Sequence, residues 1–396
     1  MNKDNSSDHI PLSVPHLDGN EWAYVKECLD TNWVSSAGKY VEKFEARAAS
    51  YVGRQYGVAC VNGTSALHVG LLVAGVGADD EVVMPPLTFV APANAVRYTG
   101  AYPVFVDVRP DTWQLDVGKV AEFLKEGCHW SGKRLVNKKT GRTVKAILPV
   151  HLIGHAVDMD PLMALAREFD LVVVEDNAES LGAAYRGRKV GSHGLIACLS
   201  FNGNKVITCG GGGMVLTDDR QLADRVRYLT TQAKDDPVEN IHGAIGYNYR
   251  LTNMQAAMGL AQLEQLDSFV ARKRQIARRY QSELAQVAGI VHQQVAGDVL
   301  PSYWLYTILI DKKTFGLDSR EVMQSLRQAG IESRPFWHPL HSQKVFADCY
   351  SFNVSAADRL YREALSLPSS VGMTDAQQDR VIDLIRSLGS ASGSKK

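Results

Sequence analysis

Leu171-Val172-Val173-Val174-Glu175-Asp176-Asn177-Ala178-Glu179 opens with four aliphatic residues and runs directly into carboxylates. A strand with branched side chains on both faces must bury both, which requires a sheet covered by helices on either side. Six further short apolar runs, at residues 56–61, 81–84, 102–108, 145–151, 197–201 and 213–217, alternate with helical patterns. Such alternation builds βαβ units, so the chain is read as α/β with a mainly parallel central sheet. Ligands of these sheets sit beyond the carboxyl ends of the strands, where Asp176 falls.

Ser200-Phe201-Asn202-Gly203-Asn204-Lys205, followed by Cys209 and the glycines 210–213, places one lysine after another hydrophobic strand. A lysine withdrawn from water supplies a free amine for Schiff-base chemistry. A carboxylate about 4 Å from a protonated ring nitrogen contributes about 4 kcal/mol at an effective dielectric of about 20. Lysine and strand-end aspartate together suggest pyridoxal 5′-phosphate, whose ring is an electron sink. Its phosphate needs N–H donors and hydroxyls at a helix start, and Asn62-Gly63-Thr64-Ser65-Ala66-Leu67 follows a strand and opens an apolar helix. Thr64 and Ser65 serve equally well as helix caps. Phe89 can stack on a flat ring or join the core. Neither the glycines 210–213 nor Gly75-Val76-Gly77 completes a dinucleotide fingerprint. His151 and His155 straddle a strand end and Gly154, a poor arrangement for a metal pair, and no metal is expected. His338 and His341 lie in a proline-containing loop that suits a substrate contact or plain surface.

The 396 residues exceed one ordinary domain. We expect a large cofactor-binding unit with an N-terminal segment over residues 1–255. A connector helix and a small α+β unit then occupy residues 256–396, with helical spacing from residue 253 to about 284. Residues 303–310 read as a strand, 319–329 and 374–388 as helices, and 390–396 as a frayed end. Forty-three basic residues balance 43 acidic ones, so no global field favours nucleic acid. The polar start over residues 1–10 and the lack of a long apolar run exclude a membrane span, and six scattered cysteines without a CxxC pair fit a reducing cytoplasm. The basic stretch 133–145 reads as two short strands about a Thr-Gly turn, either a solvated hairpin or a contact for substrate phosphates.

GTSAL (63–67), EVVMPPLTFVAPANAV (81–96), VVEDNAESLGA (173–183), SFNGNKVITCGGGGMVLTDD (200–219) and GYNYRLTNMQAAMGLAQLEQL (246–266) occur in an order that resembles the DegT/DnrJ/EryC1/StrS sugar aminotransferases. The resemblance implies the fold type I of pyridoxal-phosphate-dependent transferases and a homodimer with shared active sites. It places the cofactor on Lys205, its ring nitrogen on Asp176, its ring hydroxyl near Glu179 and its ring face on Phe89. Gly63, Thr64, Ser65 and Ser200 would bind the phosphate with Asn202 alongside, and Asn248 would reach the phosphate across the dimer interface. Two departures stand out: four glycines replace the usual Gly-Glu-Gly-Gly, and Glu179 occupies a position that is often glutamine or histidine.

Residues 14–45 are similar to the subgroup acting on UDP-linked sugars in bacillosamine and legionaminic acid pathways, with Trp33, Ser35 and Ser36 bordering the sugar site. The implied reaction moves an amino group from L-glutamate to C4 of UDP-2-acetamido-2,6-dideoxy-4-ketohexose. GDP-4-keto-6-deoxymannose is the alternative acceptor. A sugar dehydratase of the same fold would carry histidine in place of Lys205, and a non-catalytic regulator would bind the cofactor without turnover.

Overall fold

A computed structural model of the protein describes residues 9–393, so residues 1–8 and 394–396 lie outside it, while residues 390–393, expected to fray, continue the helix Asp375–Gly393. Eight strands form the path of the central sheet: β1 (Tyr56–Cys60), β2 (Asp80–Met84), β3 (Tyr102–Val106), β4 (Thr143–Ile147), β5 (Val172–Asp176), β6 (Ile196–Ser200), β7 (Gly213–Thr217) and β8 (Tyr350–Phe352). Their order is β1-β7-β6-β5-β4-β2-β3-β8. From β6 to β8 every neighbouring pair is parallel, and only β7 reverses, antiparallel to both β6 and β1. The sheet is therefore mainly parallel. The basic stretch is a hairpin on this sheet, with Arg134–Asn137 pairing both Cys128–Ser131 and, around Thr140-Gly141, the start of β4.

Five helices fix the surroundings of the sheet's carboxyl end: α1 (Glu21–Asp30), α2 (Lys39–Val52), α3 (Gly63–Val73), α4 (Asn253–Glu264) and α5 (Leu266–Leu284). In α2 the buried residues Tyr40, Val41, Phe44, Ala48, Ala49 and Val52 recur at helical spacing, so one stripe faces the core. α4 begins with a reciprocal capping box between Thr252 and Gln255. Its Gly259 lies so close to α2 that an added Cβ would come within 2.7 Å of the Phe44 ring.

Beyond α5 the chain forms a four-stranded antiparallel sheet in the order Ile290–His292, Tyr306–Ile310, Ala364–Leu367, Arg334–Pro335. Ile276, Tyr280 and Leu284 of α5 pack with Ile308, Val322 and Ile385 into its core. Lys273 of α5 is 2% exposed and donates to the carbonyls of Trp304 at 2.9 Å and Ser369 at 2.8 Å, tying the helix to this sheet. β8 lies within the expected small unit in sequence but pairs with β3 of the large sheet. No helix among the described residues is long and apolar enough to cross a membrane.

Candidate active site

β1, β5 and β6 end at one cavity of about 350 Å³. At the end of β1 the Asn62 side chain caps α3, accepting the Ser65 N–H at 2.8 Å. The other N–H groups of this first turn have no helical acceptor and, with the positive end of the helix, favour an anion. Two glycines bring the segments together: a Cβ on Gly63 would lie 2.8 Å from the Ser200 Cβ, and one on Gly213 would lie 2.4 Å from the Asn62 carbonyl oxygen. Gly63, Thr64 and Ser200 thus form one polar end of the cavity.

β5 delivers Asp176 to the same cavity, 3% exposed, where its Oδ1 accepts the Ala178 N–H at 2.9 Å. Burial pushes its pKa up, while that hydrogen bond and the charge of Lys205 pull the other way. Glu179 is held by the Ile153 N–H, which donates to Oε2 at 2.8 Å. Its pKa is likewise raised by burial, against the opposing charge of Lys205. The Lys205 amine, in the same cavity, lies 3.7 Å from Glu179 Oε1 and 3.9 Å from the centroid of the Trp304 ring. The Trp304 indole N–H donates to the Asn204 carbonyl at 2.5 Å, fixing the ring against the lysine loop. Trp337, stacked on Trp304 at 6.2 Å and 13°, extends this aromatic wall.

Gly63, Thr64, Phe89, Asp176, Glu179, Ser200, Asn202 and Lys205 all line the cavity. Phe89 is half exposed at its edge. Ser65 stands behind the lining on α3, and exposed Asn248 lies outside it, bridged to Thr231. Trp33, Ser35 and Ser36 are also elsewhere: Trp33 and Ser35 give their carbonyl oxygens to Asn253, at 2.7 Å and 2.6 Å. His338 is exposed and contacts Ser342, while His341 pairs with Asp358 at 3.3 Å. His151 is committed to Glu175, 3.1 Å away, and no group of three or more potential metal ligands occurs among the described residues. Trp304 and Trp337 were not foreseen from sequence. They come from the C-terminal segments, and their spacing carries no pattern that points to a cavity.

The profile of the DegT/DnrJ/EryC1/StrS aminotransferase family matches residues 15–386. The chain belongs to this family. It is 42% identical over 376 residues to a GDP-perosamine synthase of Caulobacter vibrioides, covering 94% of this chain and 96% of that one. It is 36% identical to EpsN of Bacillus subtilis, named a putative pyridoxal phosphate-dependent aminotransferase, over 96% of this chain and 95% of that one. Among solved structures, DesI in the presence of its TDP-sugar product superposes with a TM-score of 0.86 at 31% identity, covering 96% and 93% of the two chains. The protein is accordingly a sugar aminotransferase that uses pyridoxal phosphate and has the family's fold.

The cavity fits that cofactor. Its lining brings together the start of α3, where Gly63 lets Ser200 come so close that a Cβ would lie 2.8 Å from the serine Cβ, the buried carboxylate of Asp176 and the amine of Lys205.

Proposed function

We propose that this enzyme moves an amino group from L-glutamate to C4 of a nucleotide-linked 4-keto-6-deoxy sugar, with GDP-4-keto-6-deoxymannose as acceptor. The observation that carries the chemistry is the Lys205 amine, 3.7 Å from a buried carboxylate in the cavity that Asp176 also lines. The nucleotide is argued from the Caulobacter relative, whose name states GDP-perosamine as product. The UDP-linked N-acetyl sugar, suggested by the resemblance of residues 14–45, ranks second because Trp33, Ser35 and Ser36, expected to border the sugar, are not among the cavity residues. The reading includes a cytoplasmic homodimer in which each Asn248 reaches the phosphate site of the other copy.

Bound pyridoxal phosphate supplies an electron sink for the carbanion formed at the amino acid's α-carbon. Asp176 keeps the ring nitrogen protonated through charge at short range. Gly63, Thr64, Ser65 and Ser200 hold the phosphate through N–H groups and hydroxyls. Lys205 would anchor the cofactor, and its freed amine would act as the base and acid that takes and returns the substrate's proton. Glu179 and the Trp304 ring restrain that amine, and Phe89 closes one side.

Purified Lys205→Ala should show no turnover, and wild-type enzyme given L-glutamate alone should convert its cofactor and release 2-oxoglutarate. Mass spectrometry after addition of GDP-, UDP- and dTDP-linked 4-ketosugars should show amination of the GDP sugar. Full activity in Lys205→Ala would sink the mechanism. Amination of only the UDP-linked N-acetyl sugar would replace the acceptor with the second reading.

A further inference from the structure

The Lys205 amine has two close neighbours, Glu179 and the Trp304 ring, and both are tied to one tight turn, Leu152–Gly154, between β4 and β5. The Ile153 N–H of this turn donates to Glu179 Oε2 at 2.8 Å, and Glu179 Oε1 is the atom 3.7 Å from the amine. The Gly154 carbonyl accepts the Ser302 N–H at 2.9 Å. A Cβ on Gly154 would come within 2.7 Å of the Trp304 backbone nitrogen, so the turn also lies directly against the segment that carries the ring.

Such a turn needs support from outside. Ile153 is left-handed at φ 50° and ψ 24°, which a branched residue keeps only where its surroundings hold it. On one flank the His151 N–H donates to the Asp176 carbonyl at 3.1 Å. On the other stands Gln114, 3% exposed, in the loop after β3. Its Oε1 accepts the Leu152 N–H at 3.0 Å and its Nε2 donates to the Leu152 carbonyl at 3.2 Å, so one amide closes on both backbone groups of a single buried residue. Nε2 also donates to the Thr112 carbonyl at 3.3 Å. Two carbonyls facing Nε2 and an N–H facing Oε1 fix which way the amide points. Gln114 itself is not among the residues lining the Lys205 cavity.

We propose that Gln114 is a positioning residue for the Lys205 amine, acting through the Leu152–Gly154 turn. By pinning Leu152 it presents the Ile153 N–H to Glu179 and seats Gly154 against residues 302–304, which keeps the carboxylate and the Trp304 ring at fixed places beside the amine. Without the clamp, Ile153 relaxes from its left-handed conformation and its N–H leaves Glu179. A reacting group misplaced by about 1 Å can lose about a hundredfold in rate, so partial loosening should be visible in turnover. The proposal rests on the reading of Lys205 as the reacting amine.

Gln114→Met keeps the length of the side chain without its hydrogen bonds, and Gln114→Asn, a milder change, keeps the amide one methylene short. Hydrogen exchange of the cofactor-free protein, read by mass spectrometry, should show residues 151–155 exchanging about tenfold faster in either variant, with β6 and β7 unchanged. With pyridoxal phosphate bound, conversion of the cofactor by saturating L-glutamate should slow about tenfold, while the half-saturating concentration stays within about twofold of wild type. Combined with Glu179→Gln, either substitution should cost less than the product of the two separate losses. Faster exchange throughout the chain, unchanged exchange at residues 151–155, a loss confined to half-saturation, or fully multiplicative losses would overturn the role of Gln114. Full activity in Lys205→Ala would instead overturn the reading on which it rests.

Discussion

The carboxylate of Asp176 accepts one backbone hydrogen bond within the chain and has little access to water, so burial by itself favours its protonated form. A cationic ring nitrogen would reverse that preference, since a charge about 4 Å away contributes about 4 kcal/mol at an effective dielectric of about 20. Asp176→Asn keeps the shape without the charge, and kcat should fall by about three orders of magnitude. A rate within tenfold of wild type would place the ring nitrogen elsewhere. Ile153, which holds Glu179, sits at φ 50° and ψ 24°, a left-handed conformation that costs a branched residue about 1–2 kcal/mol. Its side chain is 1% exposed, and burying an isoleucine gains about 1.5–3 kcal/mol. Burial wins, so Ile153→Gly should lower stability in urea titration by about 1–2 kcal/mol even though it relieves the backbone. That Lys205 and Asp176 share one cavity was legible in the sequence because Asp176 ends an apolar strand and Lys205 follows closely after another. Trp304 was not, because its place over Lys205 depends on a contact between segments about a hundred residues apart.

Along β5 the side chains alternate, so neighbouring acids meet different surroundings. Asp176 faces the cavity, whereas Glu175 is fully buried and accepts from His151 Nε2 and from the N–H groups of Gly191, His193 and Gly194, with Arg54 3.7 Å away. Because His151 Nδ1 accepts the Val157 N–H, its proton is on Nε2, directed at the carboxylate. Burial alone pushes Glu175 up, but the bonds from His151 and the Gly194 backbone prevail and bring it from the ordinary 4.5 down to about 2. A folded-state pKa below the unfolded one stabilises above the unfolded value and is lost as pH falls through the folded one. Glu175→Gln should therefore be less stable than wild type near neutrality, and the gap should narrow as pH drops from 4.5 towards 2. Urea midpoints measured against pH check this, and a gap that stays constant would refute it. The sequence announced a cluster of acids at this strand end but not which of them faces the cavity. The reversed direction of β7 was equally hidden, because a fully apolar run reads the same either way.

Across the whole molecule, Lys273 is the clearest link between the helix that leaves the large sheet and the smaller sheet beyond it. Burial lowers its pKa from 10.5 to about 7. The unfolded chain then binds more protons than the folded one between those values, so this group makes the protein more stable as pH rises from 7 towards 10.5 and contributes no slope below 7. Lys273→Met should flatten the rise of melting temperature over that window relative to wild type. An unchanged slope would remove Lys273 as the cause. The long helix after residue 253 was readable from its helical spacing, but the entry of β8 into the large sheet was not. Residues 350–352 are a short strand far from the other sheet strands in sequence, and only the packed chain shows where they pair.

The antiparallel strand β7 has a further consequence for how the chain is made. β1, which leads into the Asn62–Ser65 cradle, sits at the sheet edge, where among the described residues β7 is its one strand neighbour, with Cys60 opposite Gly213. During synthesis β1 leaves the ribosome early and has no strand to join until residue 217 has followed it. A contact of such long sequence separation forms slowly. The phosphate end of the site can thus order only once β7 has been made, while β8 at residues 350–352 joins the opposite edge of the sheet later still.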